Sequence, residues 1–98
     1  MLTNKLCIVG LGLMGGSLAL ALREHVGVIV GVDQHAGTRQ RALQQSLVDE
    51  VTADFTEGVA EADAVILATP VQSILSLLAQ LPQARPDGCL VLDLGSTK

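Results

Sequence analysis

Lys5-Leu6-Cys7-Ile8-Val9-Gly10-Leu11-Gly12-Leu13-Met14-Gly15-Gly16-Ser17 decides how this chain is read. An apolar run of strand length meets a glycine turn, and a helix-period segment follows. Gly10, Gly12 and Gly15 have the spacing G-x-G-x-x-G, a dinucleotide-binding fingerprint when a strand precedes it and a helix follows. Gly10 permits the tight turn, Gly12 lets the backbone approach a pyrophosphate, and Gly15 lets the helix pack closely on the strand. N–H groups at the helix start then face the phosphates.

The rest of the chain supplies that context. Leu6–Val9 is a continuous apolar run, as expected of a strand buried on both faces. Met14, Leu18, Ala21 and Leu22 then share one helical face, with Gly27 as the stop. Val28–Val32 is the second strand and ends at Asp33. Thr38 to about Ser46 reads as a polar helix with a thin apolar stripe at Ala42, Leu43 and Leu47. Glu50–Thr52 is a short third strand at a sheet edge. One or two helical turns follow between Thr56 and Ala62, capped by Asp54 or Thr56. Ala64–Ala68 is a fourth strand, ended by Thr69-Pro70. Val71, Ile74, Leu75 and Leu78 form the stripe of an amphipathic helix that Pro82 and Pro86 close. Cys89–Leu92 is the fifth strand. Right-handed crossovers make this alternation an α/β, Rossmann-type open parallel sheet of order 3-2-1-4-5, with helices on both faces. Its crevice lies at the carboxyl ends of strands 1 and 4, where three loops meet: Gly10–Gly15, Thr69-Pro70 and Asp93–Lys98.

Asp33 lies 23 residues after Gly10, where the fingerprint places an acid for the adenosine ribose. Its carboxylate can accept from both ribose hydroxyls and would repel a 2′-phosphate, so NAD is favoured over NADP. Arg39 and Arg41 soften that preference. A solvated strand-end aspartate is the plainer alternative.

Ninety-eight residues make one domain, residues 1–98, with a core of Leu, Val, Ile and Ala, since Phe55 is the single aromatic residue. An adenine must therefore rest on aliphatic groups. A net charge of −4 with no Trp or Tyr argues against nucleic acid. Leu6–Leu22 is apolar enough to raise a membrane span or signal peptide, but Gly10, Gly12, Gly15 and Gly16 fit a span poorly, so the chain reads as cytoplasmic. Cys7 and Cys89 fall on strands separated by a third, roughly 9–10 Å apart and beyond disulfide reach. They read as buried thiols, and no metal site is expected.

Val9 to Ala19, then Ala68-Thr69-Pro70-Val71, then Asp93-Leu94-Gly95-Ser96-Thr97-Lys98 together resemble the amino-terminal domain of prephenate dehydrogenases, arogenate-using relatives included. The first block also resembles β-hydroxyacid dehydrogenases such as 3-hydroxyisobutyrate dehydrogenase. The closing block is the more specific signal. The resemblance implies NAD-dependent oxidative decarboxylation of prephenate to 4-hydroxyphenylpyruvate, a step of tyrosine biosynthesis, or of arogenate to tyrosine. It implies a cofactor set of Gly10, Gly12, Leu13, Met14, Gly15, Asp33, Ala68, Thr69, Pro70 and Ser96. Ser96 would have an auxiliary catalytic role, orienting a histidine that lies beyond the Asp-x-Gly-Ser-x-Lys block. A homo-oligomer is also implied. The sequence stops at Lys98, before that histidine and before the family's helical substrate domain. His25 and His35 read as surface residues, and Arg85 falls at the wrong end of the sheet to clamp a substrate. The fragment is therefore expected to be inactive alone. A stand-alone nucleotide-binding or regulatory module and a β-hydroxyacid dehydrogenase fragment are the other readings.

Overall fold

Successive side chains of a strand point to opposite faces, so a continuous apolar strand can serve two layers. The computed structural model describes residues 3–69, 71–84 and 90–93, and its central strands are used in this way. The elements are β1 (Thr3–Val9), α1 (Leu13–Leu22), β2 (Val26–Val32), α2 (Ala36–Gln44), β3 (Glu50–Thr52), α3 (Phe55–Val59), β4 (Ala64–Leu67), α4 (Val71–Ala84) and β5 (Leu90–Asp93). All strand pairs are parallel, and the order is β3-β2-β1-β4-β5, as the sequence predicts.

Leu6 and Ile8 of β1, Ile29 of β2, and Ala64 and Ile66 of β4 point to one face. There they meet Leu11, Ala19 of α1, Ala42 of α2, and Val48. Cys7, Val9, Val32, Val65 and Leu67 point to the other and meet Phe55 and Val59 of α3, Ala62, and Leu77 of α4. Two cores thus sandwich one sheet, and the buried set is aliphatic except for Phe55 and Cys7.

Several boundaries differ from the sequence reading. Gly27 does not stop α1. A short 3-10 turn at Arg23–His25 ends it, and β2 starts at Val26, because Thr3 of β1 reaches down to pair with Val26. The buried face of α1 is Gly15 and Ala19, with Leu18 and Leu22 half-buried, while Ala21 is exposed. Gly15 must face the sheet for α1 to approach it, and that rotates Ala21 outward. In α2, which begins at Ala36, Leu43 is exposed and only Ala42 is buried; Leu47 packs on the core just past the helix. In α4, Leu75 is 65% and Leu78 38% exposed, and among the described side chains of this helix Leu77 meets the core, while the side chains of Val71 and Ile74 lie outside those described. Pro82 does not close α4, which runs on to Ala84. In the last turn a proline removes one backbone hydrogen bond without breaking a long ladder. Asp54 caps α3, accepting from the Thr56 N–H at 3.0 Å. Cys89 and Arg85 lie outside the described residues.

At the amino end of the sheet, Asp49 and Ile29 hold each other. The Asp49 N–H donates to the Ile29 carbonyl, and the Ile29 N–H donates to the Asp49 carboxylate, both at 2.8 Å. Arg23 donates to the other carboxylate oxygen at 3.0 Å. The Ile29 N–H, aided by Arg23 and opposed by partial burial, lowers the Asp49 pKa below its usual 3.8. A carboxylate with a depressed folded pKa stabilises the fold fully above its unfolded pKa and loses that contribution as pH falls through the folded value. Urea midpoints measured at about pH 6 and about pH 3 should therefore fall more for the wild-type chain than for Asp49→Asn. Equal falls would refute the assignment.

Candidate functional site

The glycine turn is gripped from both neighbouring strands. Gly10 has φ +95°, a conformation that side chains disfavour. Its N–H donates to the Val32 carbonyl of β2 at 2.7 Å. On the other side, a Cβ on Gly10 would lie 2.9 Å from the Ala68 carbonyl oxygen and 2.8 Å from Thr69 Cγ2, beyond the end of β4. Leu11 is buried and lies against Gly31, where a Cβ would come within 2.5 Å of its Cδ1. Gly15 sits buried beneath the turn, with the Gly10 carbonyl oxygen occupying the place of its missing Cβ.

Gly12 is different. It is exposed, has ordinary extended angles (φ −68°, ψ −158°), and among the described residues has nothing within 4 Å of where a Cβ would stand. It is the N-cap of α1 and makes no side-chain cap bond, and the first turn of α1 carries no acidic residue. The helix start therefore presents backbone N–H groups with positive dipole and no acidic residue in its own first turn. An anion such as a phosphate suits that position.

Asp33 continues β2 past its last residue. Its N–H donates to the Thr52 carbonyl at 3.1 Å. One carboxylate oxygen accepts from the Leu11 N–H and the other from the His35 N–H, each at 2.9 Å. Arg39 donates to the Asp33 main-chain carbonyl at 2.7 Å, so its guanidinium is held beside the strand end, while Arg41 is exposed. His25 is exposed, and His35 is exposed beside Asp33.

The turn and the end of β2 border one cleft of about 500 Å³. Gly10, Gly12 and Asp33 line it with Ala68 and Thr69, so five of the sequence-predicted residues, from three separate loops, meet there, while Gly15 lies beneath the turn and outside the lining. Thr69 Oγ1 is buried without a hydrogen-bond partner among the described residues. A buried hydroxyl normally has one, so this atom is available to a bound group. Sequence reasoning missed Ala53, Phe55, Leu77 and Gln80, which also line the cleft. The aliphatic floor expected for a base thus includes Phe55. The strand order held that signal, because the segment after β3 opens on the same crevice as the one after β2. Leu13 and Met14 form the first turn of α1. Pro70 and Ser96 lie outside the described residues, as does the closing block apart from Asp93, the last residue of β5. No group of three His, Cys, Asp or Glu among the described residues could hold a metal ion, and no described helix is long and apolar enough to cross a membrane.

Residues 18–98 match the family of the prephenate dehydrogenase nucleotide-binding domain. The chain belongs to that family. The matched span begins downstream of the glycine turn, so the turn's geometry and the family match are separate observations. The prephenate dehydrogenase of Bacillus subtilis is 39% identical over 98 residues, covering 97% of this chain and 26% of that protein. The crystal structure of prephenate dehydrogenase from A. aeolicus, in complex with hydroxyphenyl propionate and NAD+, superposes with a TM-score of 0.86 at 30% identity, over 97% of this chain and 34% of that one. Synechocystis arogenate dehydrogenase gives 0.85 at 36% identity, over 96% and 34%. The chain spans about a quarter to a third of the length of these relatives.

Proposed function

We propose that this domain binds NAD and serves as the cofactor half of a prephenate or arogenate dehydrogenase. One observation carries the reading: an open, uncapped turn at Gly12 and a carboxylate at Asp33 border the same cleft. The residues fit the cofactor. A diphosphate meets free N–H groups at Gly12–Met14, and the adenosine ribose meets Asp33. Each Asp33 oxygen accepts one backbone N–H and keeps a lone pair for a ribose hydroxyl. A 2′-phosphate about 4 Å from that carboxylate would cost up to a few kcal/mol before screening, which favours NAD over NADP. Arg39 is tied to the carbonyl of Asp33 and offsets only part of this. The Thr69 hydroxyl, unpartnered among the described residues, and Ala68 border the path toward the nicotinamide, while Pro70 and Ser96 follow from the family resemblance.

When bound, NAD supplies a hydride acceptor. The protein's part is to fix the dinucleotide's orientation and to exclude water from its reactive end. Prephenate or arogenate as substrate, a histidine oriented by Ser96, a cytoplasmic setting and a homo-oligomer all belong to this same proposal. The exposed Leu90 and Leu92 of edge strand β5 offer apolar surface for such an assembly.

Calorimetry on the 98-residue chain should show weak NAD binding, NADP binding about tenfold weaker, and no oxidation of prephenate. A folded chain that takes up no NAD at millimolar concentration would overturn the cofactor assignment. Turnover of prephenate by the pure chain would overturn the need for further residues.

A further inference from the structure

Asp33 stands in the proposed site as a partner for the ribose, yet its carboxylate is already engaged with the turn itself. Its Oδ2 accepts from the Leu11 N–H across 22 residues of sequence. The Gly10–Leu11 peptide is planar and trans, so the Gly10 carbonyl points opposite to the Leu11 N–H. That carbonyl oxygen is the atom against which Gly15 packs. One peptide plane is thus clamped on its N–H side by Asp33 and on its C=O side by Gly15. The other anchors of the turn, the Gly10 N–H on Val32 and the Leu11 side chain over Gly31, fix its ends and leave the tilt of this plane undetermined. A flip would turn the Gly10 carbonyl toward the carboxylate, oxygen against oxygen, and leave a part-buried N–H unpaired. Asp33 is itself held, by the Thr52 carbonyl through its N–H, by the His35 N–H, and by Arg39 on its carbonyl.

We propose that Asp33 is a positioning residue for the glycine turn: its carboxylate latches the Leu11 N–H and so sets the phosphate-binding backbone at Gly12, independently of any contact with a ribose. This rests on the cofactor site proposed above. It follows that exchanging Asp33 to admit a 2′-phosphate would also loosen the turn that every dinucleotide needs.

Two ligands separate the roles. ADP carries the ribose hydroxyls, and 2′,3′-dideoxy-ADP does not. By calorimetry, Asp33→Ala should weaken dideoxy-ADP by about tenfold, the scale of one charge-assisted hydrogen bond, and ADP by more, since ADP loses its ribose contacts as well. In amide exchange by NMR, without ligand, the Leu11 N–H should exchange at least about tenfold faster in that variant. Asp33→Asn keeps an oxygen that can accept from Leu11, and should restore much of the Leu11 protection and of the dideoxy-ADP affinity. Loss of ADP affinity with dideoxy-ADP unaffected would overturn the latch and leave a ribose contact alone. Unchanged Leu11 exchange in a folded Asp33→Ala chain would overturn it as well. If the wild-type chain binds neither nucleotide, the cofactor reading fails, and Leu11 exchange then decides the latch by itself.

Discussion

Gly15→Ala should lower the melting temperature by about 10–20 °C, with loss of the α1–β1 contact. The reason is local and has no easy relief. The added methyl would overlap the Gly10 carbonyl oxygen, which is backbone. A flexible side chain could swing away, but here either α1 must lift from the sheet or the turn must reopen. Lifting α1 draws Ala19, with no exposed area, out of the core it shares with Ile8 and Ile66. Reopening the turn breaks the Gly10–Val32 and Leu11–Asp33 hydrogen bonds. Overpacking a core costs typically about 1–3 kcal/mol, and a clash between two backbones belongs at the upper end. A domain of this size has about 5–15 kcal/mol in total. Thermal denaturation followed by circular dichroism measures it. A shift of only a degree or two would mean that α1 does not approach the strand as closely as Gly15 requires.

The parts of the fold that were legible are those where one physical constraint acts alone. The apolar runs at Leu6–Val9, Val28–Val32 and Ala64–Ala68 read as doubly covered strands, and right-handed crossovers gave the sheet order; the fourth strand ends one residue earlier, at Leu67. Helix faces were less legible, because a helix rich in small and apolar residues permits several inward rotations. In α1, Ala21 and Ala19 look alike in the sequence, and the demand that Gly15 face the strand decides between them. In α4 the same ambiguity separates Leu77 from Leu75 and Leu78. The glycine spacing and the acid after β2 were readable because each serves an obligatory geometry. The bond from Asp33 to Leu11 was not, since a side chain reaching 22 residues back to a main-chain N–H leaves no periodic or compositional trace. Phe55 was visible as the lone aromatic residue, but its place in the cleft depends on β3 lying beside β2.

Gly12→Ala should do the reverse of Gly15→Ala: leave the fold intact and damage binding. Nothing among the described residues asks for glycine at this position. Its φ of −68° is open to any residue, no atom of a described residue beyond its chain neighbours lies within 4 Å of the absent Cβ, and the residue is exposed. Alanine there costs the helix cap about 0.5 kcal/mol or little more, since glycine contributes no side-chain cap to lose. The space over Gly12 is instead the approach route to the helix start, where a diphosphate must come within hydrogen-bond distance of the main chain. A methyl group standing there pushes the phosphate back, lengthening several N–H contacts at once. Alanine should weaken NAD binding about tenfold and Gly12→Val about a hundredfold, or about 1.4 and 2.8 kcal/mol, with melting temperatures near wild type. Titration calorimetry with NAD beside a thermal melt reads both quantities on one sample. If Gly12→Val binds NAD as the wild-type chain does, the phosphates do not sit at this turn. If it melts far below wild type, the open space at Gly12 is filled in solution, and the residue is structural in the way Gly15 is.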